Sequence, residues 1–307
     1  MEQVFFQPAE FLRRSDLGRS WAEEEALRYT RWLATHHYEN FHIVSFLLPK
    51  RLHQDFYNVY SFCRWADDLG DEIGDKQESL RLLSWWREQL EAMFAGRACH
   101  PVYVALRGTV ERHQLPIQPF DDLIRAFEQD QIVTRYRDWD GVIEYCRYSA
   151  NPVGRLVLGL CGYRDQTRYA LSDATCTALQ LANHWQDVAV DLEKDRVYIP
   201  LDILERHGYS LEQLFRREFA PGFAAAMHEI VDKARALFIE GLALPSMVDR
   251  RLAVDLELFS RGGLKVLEKI ERQGYDVLSR RPAISKMERV SLLLGAILRQ
   301  GLYRAAA

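Results

Sequence analysis

The sequence predicts an all-α protein built around one core. Three observations lead there. Apolar residues recur at three- and four-residue steps through nearly the whole chain, the spacing of helices that bury one face. Glycines and prolines fall between these segments rather than inside them. Ser20 with Glu23, Ser210 with Gln213 and Ser285 with Glu288 have capping-box spacing, in which a serine and an acid or amide three residues on satisfy free N–H groups of a helix start.

Taken in order, the Ser20 box opens a helix over 21–37. Pro49 opens the next, which runs to about Gly70. Periodic segments at 77–95, 101–113 and 119–131 follow. The run 139–161 is helical except at Asn151-Pro152, where proline lacks an N–H and clashes with the preceding turn, so a kink or break is expected. Helices over 172–193, 221–242, 249–273 and 286–303 complete the chain, and Val197–Ile199 is the one candidate strand. No linker or repeat divides the 307 residues, so a single domain over 1–307 is expected.

Composition narrows the function classes. Hydrophobic residues make up 48% and charged residues 27%, as in ordinary globular proteins. A net charge of −4 gives no basic face for nucleic acid. Five scattered cysteines without a CxxC pair read as reduced cytosolic thiols. The start, MEQVFFQPAEFLRRSD, has no apolar signal core, and no apolar run is long enough to span a membrane. A cytoplasmic protein is expected.

Two acidic clusters share one layout. The first is Tyr60, Arg64, Asp67, Asp68 and Asp71; the second is Gln180, Asn183, Asp187 and Asp191. Steps of three and four keep each set on one helical stripe. Crowded carboxylates repel unless a cation lies between them. Magnesium takes oxygen ligands and bridges one or two carboxylates to phosphates, which suits the pairs Asp67/Asp71 and Asp187/Asp191. For the first cluster alone a solvated acidic face is the better reading. Apolar neighbours on the same turns (Val59, Phe62, Ala66; Leu181, Trp185, Val188) mark both helices as buried, and the pattern occurs twice. Both points favour a site.

Asp195-Arg196-Val197-Tyr198 follows the second cluster. Arg196 is placed to meet a phosphate and Tyr198 to donate to it, although an arginine after a helix is as readily a plain surface charge. Around Asn151-Pro152, the small residues Ser149, Ala150 and Gly154 suit either a bend between packed helices or room for a bulky apolar ligand.

The stretches Tyr60–Asp71 and Gln180–Asp191 resemble the two aspartate-rich motifs of the squalene/phytoene synthases. Arg196 and Tyr198 match that family's Arg-x-Tyr. The resemblance spans roughly 30–300. Glu39-Asn40-Phe41, Tyr145-Cys146-Arg147, Ser149–Arg155 and Trp185–Val188 resemble the hydroxysqualene synthases of bacterial hopanoid biosynthesis most closely. The resemblance implies an isoprenoid-synthase helical bundle around a central cavity. It implies two or three Mg²⁺ held by Asp67, Asp71, Asp187 and Asp191, and a prenyl diphosphate substrate. Tyr60 and Arg64 join the catalytic set. Asn40, Phe41, Asp68, Tyr148, Gln180, Asn183, Gln186, Arg196 and Tyr198 form the substrate-binding set.

Two departures from the family pattern bear on the reaction. Family members that join two prenyl diphosphates usually have serine at the position of Asn40 and arginine at that of Gln186, and loss of the cation favours one diphosphate over two. The implied reaction is ionisation of presqualene diphosphate, rearrangement among aromatic faces (Phe41, Tyr60, Tyr148) in a dry cavity, and capture by water. Asn40, Asn183 or Gln186 would orient that water. Condensation of two farnesyl diphosphates is the alternative, and a non-catalytic scaffold the remote one. No nicotinamide is expected, and no G-x-G-x-x-G loop is present. Contact with a membrane surface and handover from other squalene-pathway enzymes are the partners implied.

Overall fold

Helix starts are set by short polar caps. Asp75, Asp138 and Asp165 each accept a hydrogen bond from a backbone N–H three residues on, and Ser210 and Ser285 form the expected capping boxes with Gln213 and Glu288. This computed structural model describes residues 5–14, 19–36 and 49–305, with side chains as far as Gly301. The described chain is all-α. The expected strand at Val197–Ile199 reduces to an isolated parallel bridge between Arg135 and Val197.

The chain divides into two compact units, residues 1–132 with 155–164 and residues 133–154 with 165–307. The first unit holds α1 (Pro8–Arg14), α2 (Glu23–His36), α3 (Lys50–Asp71), α4 (Lys76–Phe94), α5 (Pro101–His113) and α6 (Gln118–Ile132). Helix α2 begins at Glu23, two residues later than a Ser20 cap requires, so Ala22 holds the N-cap position and its carbonyl accepts from Ala26. Helix α3 is the centre of this unit and packs on α2, α4, α5 and α6.

One side of α3 is held by aromatic rings. Trp65 stacks on Trp86 with centroids 5.2 Å apart, and its indole N–H donates to Tyr29 Oη at 3.0 Å. His100 lies edge-on to Trp65, and its Nδ1 accepts from Val102 N at the start of α5. Burial lowers the His100 pKa from 6.5 to about 3. The unfolded chain therefore binds the extra proton more readily. Stability present above pH 6.5 is lost as pH falls towards 3. Urea melts are expected to show roughly 2 kcal/mol lost through this group between about pH 7 and about pH 5, and His100→Gln should flatten that slope.

About two turns earlier, the same face of α3 carries a buried polar network. Asp55 accepts from Thr109 Oγ1 at 2.8 Å, Arg112 Nη2 at 2.6 Å and His113 Nε2 at 3.0 Å, all on α5. Asn58 accepts from Thr30 Oγ1 on α2 and donates to Ala105 O and Thr109 Oγ1 on α5. Three helices are thereby keyed in register within about one and a half turns before the first acidic cluster.

In the second unit, α7 (Trp139–Ser149) ends at Ala150, and α8 (Asn151–Leu160) starts at the expected Asn-Pro break, its residues from Arg155 onward belonging to the first unit. Asn151 Oδ1 accepts from Thr177 Oγ1 at 2.9 Å. Gly154 faces α9 (Gln166–Gln186), where an added Cβ would lie 2.3 Å from Ser172 Oγ and 2.6 Å from Cys176 Sγ. The space at Gly154 is filled by packing and is not room for a ligand. After α9 come α10 (Val188–Glu193), α11 (Leu201–Arg206), α12 (Leu211–Phe215), α13 (Pro221–Gly241), a 3-10 turn at Leu244–Met247, α14 (Arg250–Arg272) and α15 (Lys286–Ala305). Helix α9 packs on α13 and α14, around a core that includes Trp185, Phe223, Ile230 and Phe238.

Candidate active site

The first cluster lies on the last three turns of α3. Arg64 reaches up the helix, with Nη1 3.1 Å from Asp67 Oδ2 and Nη2 against Asp68 Oδ1. Tyr60 and Asp68 are buried. The Asp67 side chain keeps 43% of its surface exposed, and Asp71 is exposed. The acids therefore divide. Asp67 and Asp71 turn outward on one stripe, while Asp68, expected to bind substrate, sits inside as partner of Arg64. The Cys63 thiol is pushed up to about 12 by burial and by the Asp67 charge, so it stays protonated.

Gly70, mid-helix between the acids, faces α6. Gln131 Nε2 donates to Gly70 O at 3.0 Å, and a Cβ on Gly70 would lie 3.4 Å from Phe127 Cδ1, ordinary contact. Gly70→Ala is expected to fit and to raise stability by up to about 1 kcal/mol through helix propensity. A lower melting temperature would show that Phe127 cannot yield.

The second cluster departs from the expected continuous helix over 172–193. Helix α9 ends at Gln186, and Asp187, at φ −106° and ψ 14°, links it to α10. The bend is mild: Asp187 N–H still reaches Asn183 O, and Asp191 N–H reaches Asp187 O, both at 2.9 Å. Asn183 is exposed, and Gln180, Asp187 and Asp191 are half-buried, so the four remain a stripe open to solvent.

Gln186 lies off that stripe. It is buried, and its Nε2 donates to Pro282 O. The neighbouring Arg281 grips Asp187 with two hydrogen bonds, Nε to Oδ1 and Nη2 to Oδ2, the latter at 3.0 Å. Arg281 was not legible as a site residue because it lies 94 positions away on a loop without motif spacing. The doubled Arg280-Arg281 before a proline was the available signal.

Arg196 and Tyr198 are placed by a backbone zipper. Asp195 takes a left-handed conformation, φ 56°, which closes α10 and lets Arg196 N–H reach Asp191 O at 2.9 Å. Val197 N–H then bonds Thr134 O, and Leu201 N–H bonds Tyr136 O. The Tyr198 ring is buried and lies flat on His184, with centroids 3.6 Å apart and planes at 14°, beside Tyr136 and Tyr145. His184 Nδ1 is 4.0 Å from Asp191 Oδ2. Burial first, then the Arg196 charge, lowers the His184 pKa to about 3, so the ring is neutral. The pocket lined by His184, Asp191, Arg196 and Tyr198 measures about 10 Å³, room for one water at most. His184 and Tyr145 thus form an aromatic floor under Asp191 and Arg196, which sequence spacing did not single out.

Tyr148 donates to Glu144 Oε1 at 2.8 Å on its own helix. Asn40 and Phe41 lie outside the described residues.

No group of three or more His, Cys, Asp or Glu among the described residues is arranged to hold a metal by itself. The first motif offers the outward oxygens of Asp67 and Asp71, and the second offers Asp191 beside Asp187, whose carboxylate Arg281 holds. That fits an ion completed by water and phosphate oxygens better than one caged by protein alone.

Residues 34–288 match the sequence model of the family described as squalene/phytoene synthase. The chain belongs to the squalene/phytoene synthase family. Members of this family are isoprenoid synthases, and this chain is one. It is 33% identical over 267 residues to the hydroxysqualene synthase of Rhodopseudomonas palustris, covering 86% of this chain and 89% of that one. It is 34% identical over 263 residues to the phytoene synthase of Thermus thermophilus, covering 85% and 89%. The crystal structure of squalene synthase HpnC from Alicyclobacillus acidocaldarius superposes with a TM-score of 0.79 at 45% identity, covering 82% of this chain and 95% of that one. Within the family, both aspartate-rich motifs and Arg196-x-Tyr198 fall inside the matched range.

Proposed function

We propose that this enzyme converts presqualene diphosphate to hydroxysqualene. The carbon–oxygen bond to the diphosphate breaks, the cation rearranges, and water adds with loss of a proton. Asp67 and Asp71 of one motif and Asp187 and Asp191 of the other would hold Mg²⁺, which when bound neutralises charge on the departing diphosphate. Arg64 and Arg196 add charge-assisted hydrogen bonds. The neutral His184 and the rings of Tyr198, Tyr145 and Tyr136 keep the floor under Asp191 apolar and free of competing charge.

The observation carrying this reading is at Gln186. The residue before Asp187 is neutral, and its amide nitrogen is committed to Pro282 O, so the position offers no cation to a second diphosphate. The hydroxysqualene synthase relative supports the same reading. The phytoene synthase relative, at equal similarity, supports the second one, head-to-head condensation of two prenyl diphosphates.

Product analysis separates them. Presqualene diphosphate with Mg²⁺ is expected to give the alcohol without NADPH. Squalene formed only with NADPH, or a condensed C30 product from farnesyl diphosphate alone, would overturn the proposal. An enzyme making presqualene diphosphate must then precede this one.

A further inference from the structure

The two carboxylates of the second motif are held differently. Arg281 takes both oxygens of Asp187. Asp191 has the imidazole of His184 beside it, on the last turn of α9, with Nδ1 4.0 Å from Asp191 Oδ2. Steps of four and three, through Val188, keep this pair on one stripe. His184 is buried, and its Nε2 has no hydrogen-bond partner among the described residues. A neutral imidazole has a single N–H. With no acceptor at Nε2, that proton belongs on Nδ1, the nitrogen nearest the carboxylate. Tyr198 lies flat on the ring, centroids 3.6 Å apart, and fixes its plane.

At 4.0 Å the two groups are too far apart for a direct hydrogen bond and close enough for a bridged one. The cavity they line measures about 10 Å³, the size of one water. Arg196 lines it too, so three residues with polar side chains surround a position that needs two to four polar partners. Val188, Leu192 and Leu214 close the apolar side. A carboxylate that ligates a metal is itself held by hydrogen bonds to its surroundings. An arginine in this place would bring a charge that competes with the ion, whereas a neutral N–H brings none.

We infer that His184 is a positioning residue for the second motif: through one water, its Nδ1–H holds Asp191 Oδ2 and leaves the other carboxylate oxygen for the metal. The inference rests on Asp191 binding Mg²⁺ and not on which product forms. Bound Mn²⁺ is measured by electron paramagnetic resonance on the full chain with inorganic diphosphate, without turnover. His184→Phe keeps a ring for Tyr198 to stack on and removes the N–H. It should weaken Mn²⁺ binding about tenfold or more. His184→Asn loses the ring and keeps a donor near the Nδ1 position, and it should bind Mn²⁺ nearly as the parent does. In an Asp191→Asn background, His184→Phe should weaken binding no further, because the bridge has lost its carboxylate. A ring needed only for packing gives the opposite order, with His184→Phe like the parent and His184→Asn weak, and that order overturns the inference. A His184→Phe loss that persists in full beside Asp191→Asn overturns it as well. Where His184→Asn melts below the parent, this last comparison decides alone. Asp191→Asn binding Mn²⁺ like the parent is a different failure: it removes Asp191 from the metal site, and the inference with it.

Discussion

Asp191→Asn is expected to lower turnover about 100- to 1000-fold, the range seen when one group stabilising developing charge is removed from an active site. The substitution keeps the shape of the side chain and deletes one negative charge. Asp191 is half-buried, and its backbone N–H already bonds Asp187 O, so the turn into Arg196 survives the change. The melting midpoint should move by no more than about 0.5 kcal/mol in stability. The Mg²⁺ concentration for half-maximal turnover should rise, because a pair of oxygen donors becomes a single carboxylate with an amide. Asp67→Asn should behave alike. Turnover within threefold of the parent for either variant, measured across a Mg²⁺ titration, would remove these aspartates from the catalytic set.

Asp55→Ala is expected to be the most damaging substitution for the fold itself, at about 3 kcal/mol. Burial alone would raise the Asp55 carboxyl; hydrogen bonds from Arg112, His113 and Thr109 outweigh that and hold it below the usual carboxylate range. Its loss strands three donors on α5. Arg112 is more than half exposed and re-solvates, which keeps the loss at the low end for a broken buried pair. Urea denaturation measures it directly. A loss below about 1 kcal/mol would show that the network is replaceable by water. Because Asp55 lies on the same helix as Asp67, some activity should vanish with it even at temperatures where the variant is folded.

The helices were legible because their signals are local: apolar periodicity, the Asn-Pro break and the boxes at Ser210 and Ser285 need no knowledge of the rest of the chain. The first box failed for the same reason. Ser20 and Glu23 have the right spacing, but the helix starts at Glu23, one turn before its first buried residue, Ala26. The outward acids of each motif were visible as stripes. What the stripes could not disclose was pairing. That Asp68 turns in to Arg64, that Gln186 turns away to Pro282, and that Arg281 returns to hold Asp187 all depend on contacts with no fixed spacing. The network at Asp55 escaped notice because buried polar residues in a helical pattern look like ordinary breaks in amphipathicity.

The tryptophan stack in the first unit gives the chain an optical asymmetry. Five of the seven tryptophans (21, 32, 65, 85 and 86) belong to that unit, and only Trp139 and Trp185 to the second. Intrinsic emission and near-ultraviolet ellipticity therefore report chiefly on the unit carrying the first aspartate motif. Far-ultraviolet ellipticity, arising from helices throughout, reports on both. Followed side by side, the signals tell whether the chain melts as one cooperative body or as two.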